Sequence, residues 1–304
     1  MTARVFITGG SGLLALNWAL AICGRFVVLL GMHRRIVSLS SAQTCHFDLD
    51  SVDRLAAQFE AAKATVVIHA AGMTNIELCE ANPDLAWHVN VSIAENVAKA
   101  CDRLCIPMVQ ISSDHLFSGE ESMATEDILP SPVNVYGKTK AEAERRVLDA
   151  CPTALVVRTN FYGWGTSYRR SFSDIIIDAL SQQQSITLFG DVFYTPIVIQ
   201  DLVGAVHELL DQKATGIFNV VGNERLSKYQ FGLRVADAFG LDERLIRCGT
   251  LSEAPNLVQR PHDMSLSNSK VSAVLGKEME SISRQLEKLR HQELQGMFKE
   301  LKSL

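Results

Sequence analysis

Val5-Phe6-Ile7-Thr8-Gly9-Gly10-Ser11-Gly12-Leu13-Leu14-Ala15 joins a short apolar run, a glycine-rich turn and an apolar helix-like stretch that continues to Ile22. Gly9-x-x-Gly12-x-x-Ala15 therefore falls between a strand and a helix. Glycines let such a turn tighten, and they let backbone N–H groups approach a pyrophosphate lying at the positive end of the helix. The third small position serves helix packing, so alanine is a tolerable occupant. Gly9, Gly12, Leu13 and Leu14 are the candidate contacts of a dinucleotide here. A glycine turn alone is weak; its place at the start of an alternating pattern strengthens it.

That pattern extends outward from the turn. Phe26 to Leu30 reads as a second buried strand, Leu55 to Ala62 as a helix and Thr65 to His69 as a third strand. Asp84 to Cys105 carries helical periodicity, Pro107 to Ser112 is a fourth strand, Ala141 to Ala150 a helix and Ala154 to Arg158 a further strand. Strands that are nearly continuous apolar runs, alternating with helices, indicate a parallel sheet covered on both faces. The expected fold is α/β: a Rossmann-type doubly wound parallel sheet with a smaller, interleaved C-terminal α/β region.

After Asn160 the pattern loosens. Phe172 to Ser181 and Leu202 to Leu210 look helical, Pro196 to Ile199 is short and extended, and Gly216 to Gly222 is a strong strand. A helix follows from Ser227 through Phe239, then a short Leu245-Ile246 strand. A final amphipathic helix could gather Ile282, Leu286, Leu289, Met297 and Leu301 on one face. There is no internal repeat and no low-complexity linker. Residues 1–158, with 200–222 returning to them, form the expected dinucleotide-binding domain, and 159–199 with 223–304 the substrate-binding region.

Composition bounds the remaining choices. The 304 residues are 47% hydrophobic and 21% charged, which is ordinary for one large domain or two intimate ones. A formal charge of -5 gives no global attraction to nucleic acid or to an anionic membrane, and neither is expected as a partner. No apolar run approaches bilayer length, and the start runs straight into a strand without a signal-peptide pattern. Seven scattered cysteines show no zinc spacing, and the eight histidines are dispersed, so no metal is expected. Reduced thiols and a cytoplasmic location are the plain reading.

The end of the second strand selects the cofactor. An acidic residue there would grip the adenosine ribose of NAD and repel the 2′-phosphate of NADP. His33-Arg34-Arg35 stands there instead, and a guanidinium makes forked, charge-assisted pairs with phosphate oxygens. NADP(H) is the expected cofactor, with NAD(H) as the lesser alternative; a solvated basic loop is the competing reading. Asp48 and Leu49 fall where the adenine would lie, and Ala70-Ala71-Gly72 would line the cofactor after the next strand.

Tyr136-Gly137-Lys138-Thr139-Lys140 supplies a Tyr-x-x-x-Lys pair at a helix start. Residues four apart share a helix face, so the Lys140 ammonium can lie near both the phenol and the nicotinamide ribose. A nearby positive charge favours phenolate and is expected to lower the tyrosine pKa. Ser112-Ser113 ends the preceding strand where a hydroxyl could hold a carbonyl oxygen. An ordinary helix surface is the alternative for the pair taken alone. The glycine turn, Ala70-Ala71-Gly72 and the upstream serine, all in order, argue against it.

On these residues the chain resembles the dTDP-4-dehydrorhamnose reductase family, sugar-nucleotide reductases of the extended short-chain dehydrogenase/reductase class. The resemblance runs from the glycine turn to just before the last helix. It includes Ala70 through Glu80, Asn90, Ile111 through Gly119, Tyr136 with Lys140, Arg158-Thr159, Asp191 through Pro196 and Arg260-Pro261-x-Asp263-x-Ser265-Leu266. It implies Ser113, Tyr136 and Lys140 as a catalytic trio that reduces the 4-keto group of a nucleotide-linked 6-deoxyhexulose. The departures fall on the substrate side: His115 replaces a usual tyrosine, and Asn160-Phe161 stands where a tryptophan is often found. Asp191-Val192-Phe193-Tyr194-Thr195-Pro196 replaces an Asp-Gln-x-Gly-x-Pro pattern. Thr74, His115, Asn160, Phe161 and Arg260 are the substrate candidates, and Trp164 could stack on a ring or simply pack in its loop. A homodimer is an open expectation. The regulatory β subunit of methionine adenosyltransferase is similar to the same family, so an NADP-binding regulatory subunit is a second reading. An epimerase or dehydratase is a third, kept alive by Asp114.

Overall fold

The computed structural model describes residues 3–296 and 299–304. Six strands, β1 (Arg4–Thr8), β2 (Val27–Met32), β3 (Gln43–His46), β4 (Val66–His69), β5 (Met108–Ile111) and β6 (Leu155–Arg158), join a seventh, Gly216–Asn219, in one sheet. All neighbours pair in parallel. Reading across the sheet, the seventh strand is followed by β6, β5, β4, β1, β2 and β3. The order reverses between β1 and β4, and in an open α/β sheet a ligand crevice opens at the strands' carboxyl ends at that reversal.

Both faces are covered, which is why the strands read as unbroken apolar runs. Val5 and Ile7 of β1 join one core with Ile68, Val109, Ile111, Leu155 and Val157. Phe6 turns to the opposite core with Val67, Met108 and Val156. The period of two thus sorts each strand between two hydrophobic layers. Helix α1 (Leu13–Ile22) packs on the first face beside the helix Ile199–Asp211, where Trp18 Nε1 donates to His207 Nε2 at 3.1 Å. Helix α2 (Val52–Ala62) and the helices Ile93–Leu104 and Val135–Ala150 cover the other.

Several elements differ from their sequence reading. Asp84 to Cys105 is not one helix: Pro83–Trp87, a π-helical turn His88–Ser92 and Ile93–Leu104 follow one another. Within that turn the Asn90 side chain accepts from Met73 N at 2.7 Å and donates to Met73 O at 3.1 Å and Thr139 Oγ1 at 3.0 Å. Inserted π turns of this kind commonly mark sites. The helix read as Ala141 to Ala150 begins at Val135, because Asn134 Oδ1 caps it by accepting from Gly137 N at 2.9 Å. The early start carries Tyr136 and Lys140 onto regular helix. β3 was invisible as an apolar run because Gln-Thr-Cys-His is a polar edge segment.

In the C-terminal region Ile186–Phe189 pairs in parallel with Ile246–Gly249, and Phe161–Tyr162 with Ile197–Val198. Phe193–Tyr194 pairs antiparallel with Leu226–Ser227. The last amphipathic stretch is two helices, Ile282–Leu294 and Lys299–Ser303, separated at Gly296, whose φ is +70°. Ile282, Leu286, Leu289 and Leu301 are buried as the pattern required, and Met297 lies outside the described residues. All seven cysteines are free. Among the described residues no helix is long and apolar enough to cross a membrane, and no cluster of His, Cys, Asp or Glu could hold a metal.

Candidate active site

A cleft of about 1020 Å³ opens at the carboxyl ends of β1, β2, β4 and β5. The glycine turn forms its floor. Gly9 has φ +69°, and a Cβ there would come within 2.8 Å of Ala71 Cα, so only glycine lets the turn meet the segment after β4. Gly12 N donates to Gly9 O at 2.7 Å, and Gly12 starts α1 with no side-chain cap and no acidic residue in the first turn. The helix N-terminus therefore presents unfilled N–H donors to the cleft, which fits a pyrophosphate. Leu13, Leu14, Ala70, Ala71 and Gly72 line the same cleft.

The basic segment after β2 also reaches it. His33, Arg34 and Arg35 are exposed lining residues, and neither arginine meets a carboxylate among the described residues. Arg35 instead lies 4.0 Å over the Tyr168 ring. Asp48 and Leu49 line the far wall, where Asp48 is engaged by Asp50 N at 3.0 Å and Arg54 at 2.5 Å. These bonds, the backbone one first, hold the Asp48 carboxyl below the usual carboxylate range.

Ser113, Tyr136 and Lys140 come together at the other end of the cleft, and all three are buried. Lys140 Nζ donates to Ile111 O at 2.7 Å, which seats the ammonium beneath the end of β5. Burial pulls its pKa down to about 8, against the opposing charge of Glu144 one turn further along. Tyr136 behaves contrary to the sequence expectation. Burial pushes its pKa up to about 12, and the Ser113 hydroxyl offsets this only in part. The expected lowering fails because loss of water dominates and the Asp114 charge adds to the rise. The phenol is thus a protonated donor throughout the neutral range.

On the substrate side His115 packs edge-on against Tyr136, with ring centroids 5.6 Å apart, and its buried Nδ1 has no hydrogen-bond partner among the described residues. Burial lowers the His115 pKa. Asn160 Nδ2 donates to the buried Asp114 carboxylate, and Asn160 and Phe161 line the cleft. Thr74 Oγ1 accepts from Arg169 at 2.5 Å. Arg260 lies apart from the main cleft, in an adjoining pocket of about 420 Å³ shared with Thr74, Glu77, Tyr168, Arg169 and Arg170. There it is bonded to Glu77, a bridge between the two regions. Trp164 is a packing residue: it is 3% exposed and its Nε1 donates to Leu289 O at 3.1 Å.

Sequence reasoning missed several participants. Glu144 and Arg158 form a buried forked pair, with Nε–Oε1 at 3.0 Å and a second nitrogen to Oε2 at 2.8 Å, and Ser112 Oγ donates to Glu144 at 2.5 Å. Glu144 stands four residues after Lys140, and that spacing is its signal in the sequence. Gly137 was also passed over, although a Cβ there would fall 2.2 Å from His115 O. Lys228, its ammonium 3.3 Å over the Tyr194 ring, has its pKa lowered to about 8 by burial. Tyr168, Arg169 and Arg170 reach the cleft from far along the chain and carried no local signal.

The sheet order, the uncapped glycine turn and the Ser113, Tyr136, Lys140 grouping define a protein of the extended short-chain dehydrogenase/reductase class. The family described as RmlD substrate binding domain matches residues 3–294, and the chain belongs to it. It is 27% identical over 275 residues to a probable low-salt glycan biosynthesis reductase of Haloferax volcanii, covering 89% of this chain and 92% of that protein. It is 29% identical over 288 residues to the methionine adenosyltransferase 2 subunit beta of Rattus norvegicus, covering 89% and 82%. In fold it is similar to the crystal structure of a dTDP-4-dehydrorhamnose reductase from Bacillus anthracis in complex with NADP. The TM-score is 0.84 at 21% identity, over 96% of this chain and all of that one.

Proposed function

We propose that the protein is an NADPH-dependent reductase acting on the 4-keto group of a nucleotide-linked deoxyhexulose. One observation carries the reading: a buried Ser113, Tyr136 and Lys140 line the same cleft as the glycine turn and two arginines that meet no carboxylate among the described residues. When bound, the reduced nicotinamide supplies a hydride. Tyr136 gives its phenolic proton to the carbonyl oxygen as the alcohol forms, and Ser113 holds that oxygen. Lys140 would orient the nicotinamide ribose, and its ammonium would stabilise the phenolate left on Tyr136 until a proton from solvent restores the phenol. Arg34 and Arg35 would take the 2′-phosphate, which favours NADP(H) over NAD(H). His115, Asn160 and Phe161 would face the sugar. Arg169, Arg170 and Arg260 would face the diphosphate, with Arg260 exchanging Glu77 for it. In this reading residues 1–158 and 200–222 serve the cofactor, and 159–199 with 223–304 serve the substrate.

The likeness to the methionine adenosyltransferase β subunit supports a second reading, a cofactor-binding regulatory subunit. A panel of nucleotide-linked 4-keto sugars incubated with NADPH, followed at the nicotinamide absorbance band, separates the two. Turnover with one of them is the expected result. Tight NADPH binding without turnover of any sugar would transfer the assignment to the regulatory reading.

A further inference from the structure

The segment between Phe161–Tyr162 and the helix Phe172–Ser181 crosses from the substrate side to the glycine turn. Tyr168 is 157 residues away from Ser11 in sequence, yet its hydroxyl donates to Ser11 O at 2.8 Å. The guanidinium of Arg35, exposed and without a carboxylate partner among the described residues, lies over the same ring at 4.0 Å. The turn that presents Tyr168 is braced. Thr166 N donates to Arg169 O at 2.9 Å, and Arg169 N donates back to Thr166 Oγ1 at 3.0 Å. Asp174, fully buried, accepts from Gly165 N at 2.6 Å and Ser171 N at 2.9 Å and meets Lys302 at 2.9 Å.

We propose that Tyr168 is a positioning residue for cofactor selection: its ring holds Arg35 by the face of the guanidinium and leaves the N–H edge for a phosphate monoester on the adenosine ribose. The donors of a guanidinium all lie in its plane, so stacking consumes none of them. An exposed arginine would otherwise lose rotamer freedom on capturing a phosphate, and the stack removes much of that freedom beforehand. Among the described residues no ring lies under Arg34, so Arg35 carries the larger share of the preference for a 2′-phosphate. The inference rests on the NADPH reading above.

Fluorescence titration of NADPH and NADH against the wild type, Tyr168→Leu, Tyr168→Phe, Arg35→Met and the Tyr168→Leu/Arg35→Met double variant tests it. Tyr168→Leu is expected to weaken NADPH about three- to tenfold, as for loss of a cation–π contact. NADH should change by less than about twofold, which also reports that the cleft is folded. Tyr168→Phe keeps the ring and should keep the NADPH preference. In the Arg35→Met background Tyr168→Leu should add nothing. Equal losses for the two cofactors, or an undiminished Tyr168→Leu effect in that background, overturn the role of Tyr168 alone. An unchanged NADPH-to-NADH ratio in Arg35→Met overturns the 2′-phosphate reading and this inference with it.

Discussion

Tyr136 and Lys140 share a helix face and the same burial, but burial acts oppositely on an acid whose charged form is anionic and one whose charged form is cationic. The phenol is raised to about 12 and stays protonated, whereas the ammonium is lowered to about 8 and titrates near working pH. Two predictions follow from this contrast. Tyr136→Phe keeps the ring against His115 and removes only the donor, so single-turnover reduction should slow by roughly 10²–10⁴-fold. NADPH affinity should hardly move; a variant reducing a good substrate at the wild-type rate would refute proton delivery by Tyr136. The profile of kcat/KM against pH should fall as pH rises through about 8, because the amine is charged below that value and neutral above it. Lys140→Met should be slow throughout and lack that limb. A limb of unchanged midpoint in this variant would assign the titration elsewhere.

The helix Val135–Ala150 is the element on which the site depends. Tyr136, Lys140 and Glu144 follow one another at i, i+4 and i+8, so one face carries the proton donor, the ammonium and the anchor of a buried ion pair. Arg158 ends β6 and Ser112 follows β5, so Glu144 ties this helix to two strand ends at once. Both charged side chains are nearly free of solvent, at 2% and 4% exposure. Removing one partner of such a pair strands the other charge, at a cost of about 3–5 kcal/mol. Glu144→Met should therefore lower the urea midpoint sharply, and Glu144→Met/Arg158→Met should recover most of the loss. If the double variant is as unstable as the single one, packing around the pair, and not its charge, holds the strand ends. The pattern of Lys140 and Glu144 was written in the sequence. Its partner lay fourteen residues on, at the end of the following strand, and no helical spacing could announce Arg158 as that partner.

At the scale of the whole molecule, two histidines couple stability to acid. His69, beneath Thr8, is lowered by burial to about 3, and His207, beside Trp18, to about 4, both from 6.5. Between those values and 6.5 the unfolded chain binds protons that the folded rings refuse. The contribution of these two histidines is therefore whole above pH 6.5 and is lost as pH falls toward 4. Thermal melts from pH 7 to pH 4.5 should show this decline, and His207→Gln, which can still accept from Trp18, should make it shallower. An unchanged slope would remove His207 from the account. The parallel sheet, the glycine turn, the basic segment and the Tyr136–Lys140 pair were legible in sequence because each is local: an apolar run, a φ only glycine adopts readily, a charge at a strand end, a helical spacing of four. The π turn around Asn90, the pairing of Glu144 with Arg158, the separate pocket of Arg260 and the reach of Tyr168 to Ser11 were not. Each joins residues on different elements: the first two depend on how helices pack on the sheet within residues 1–158, and the last two on how the C-terminal region meets that sheet. The tyrosine pKa belongs with these, since depth of burial is a property of the fold and not of the motif.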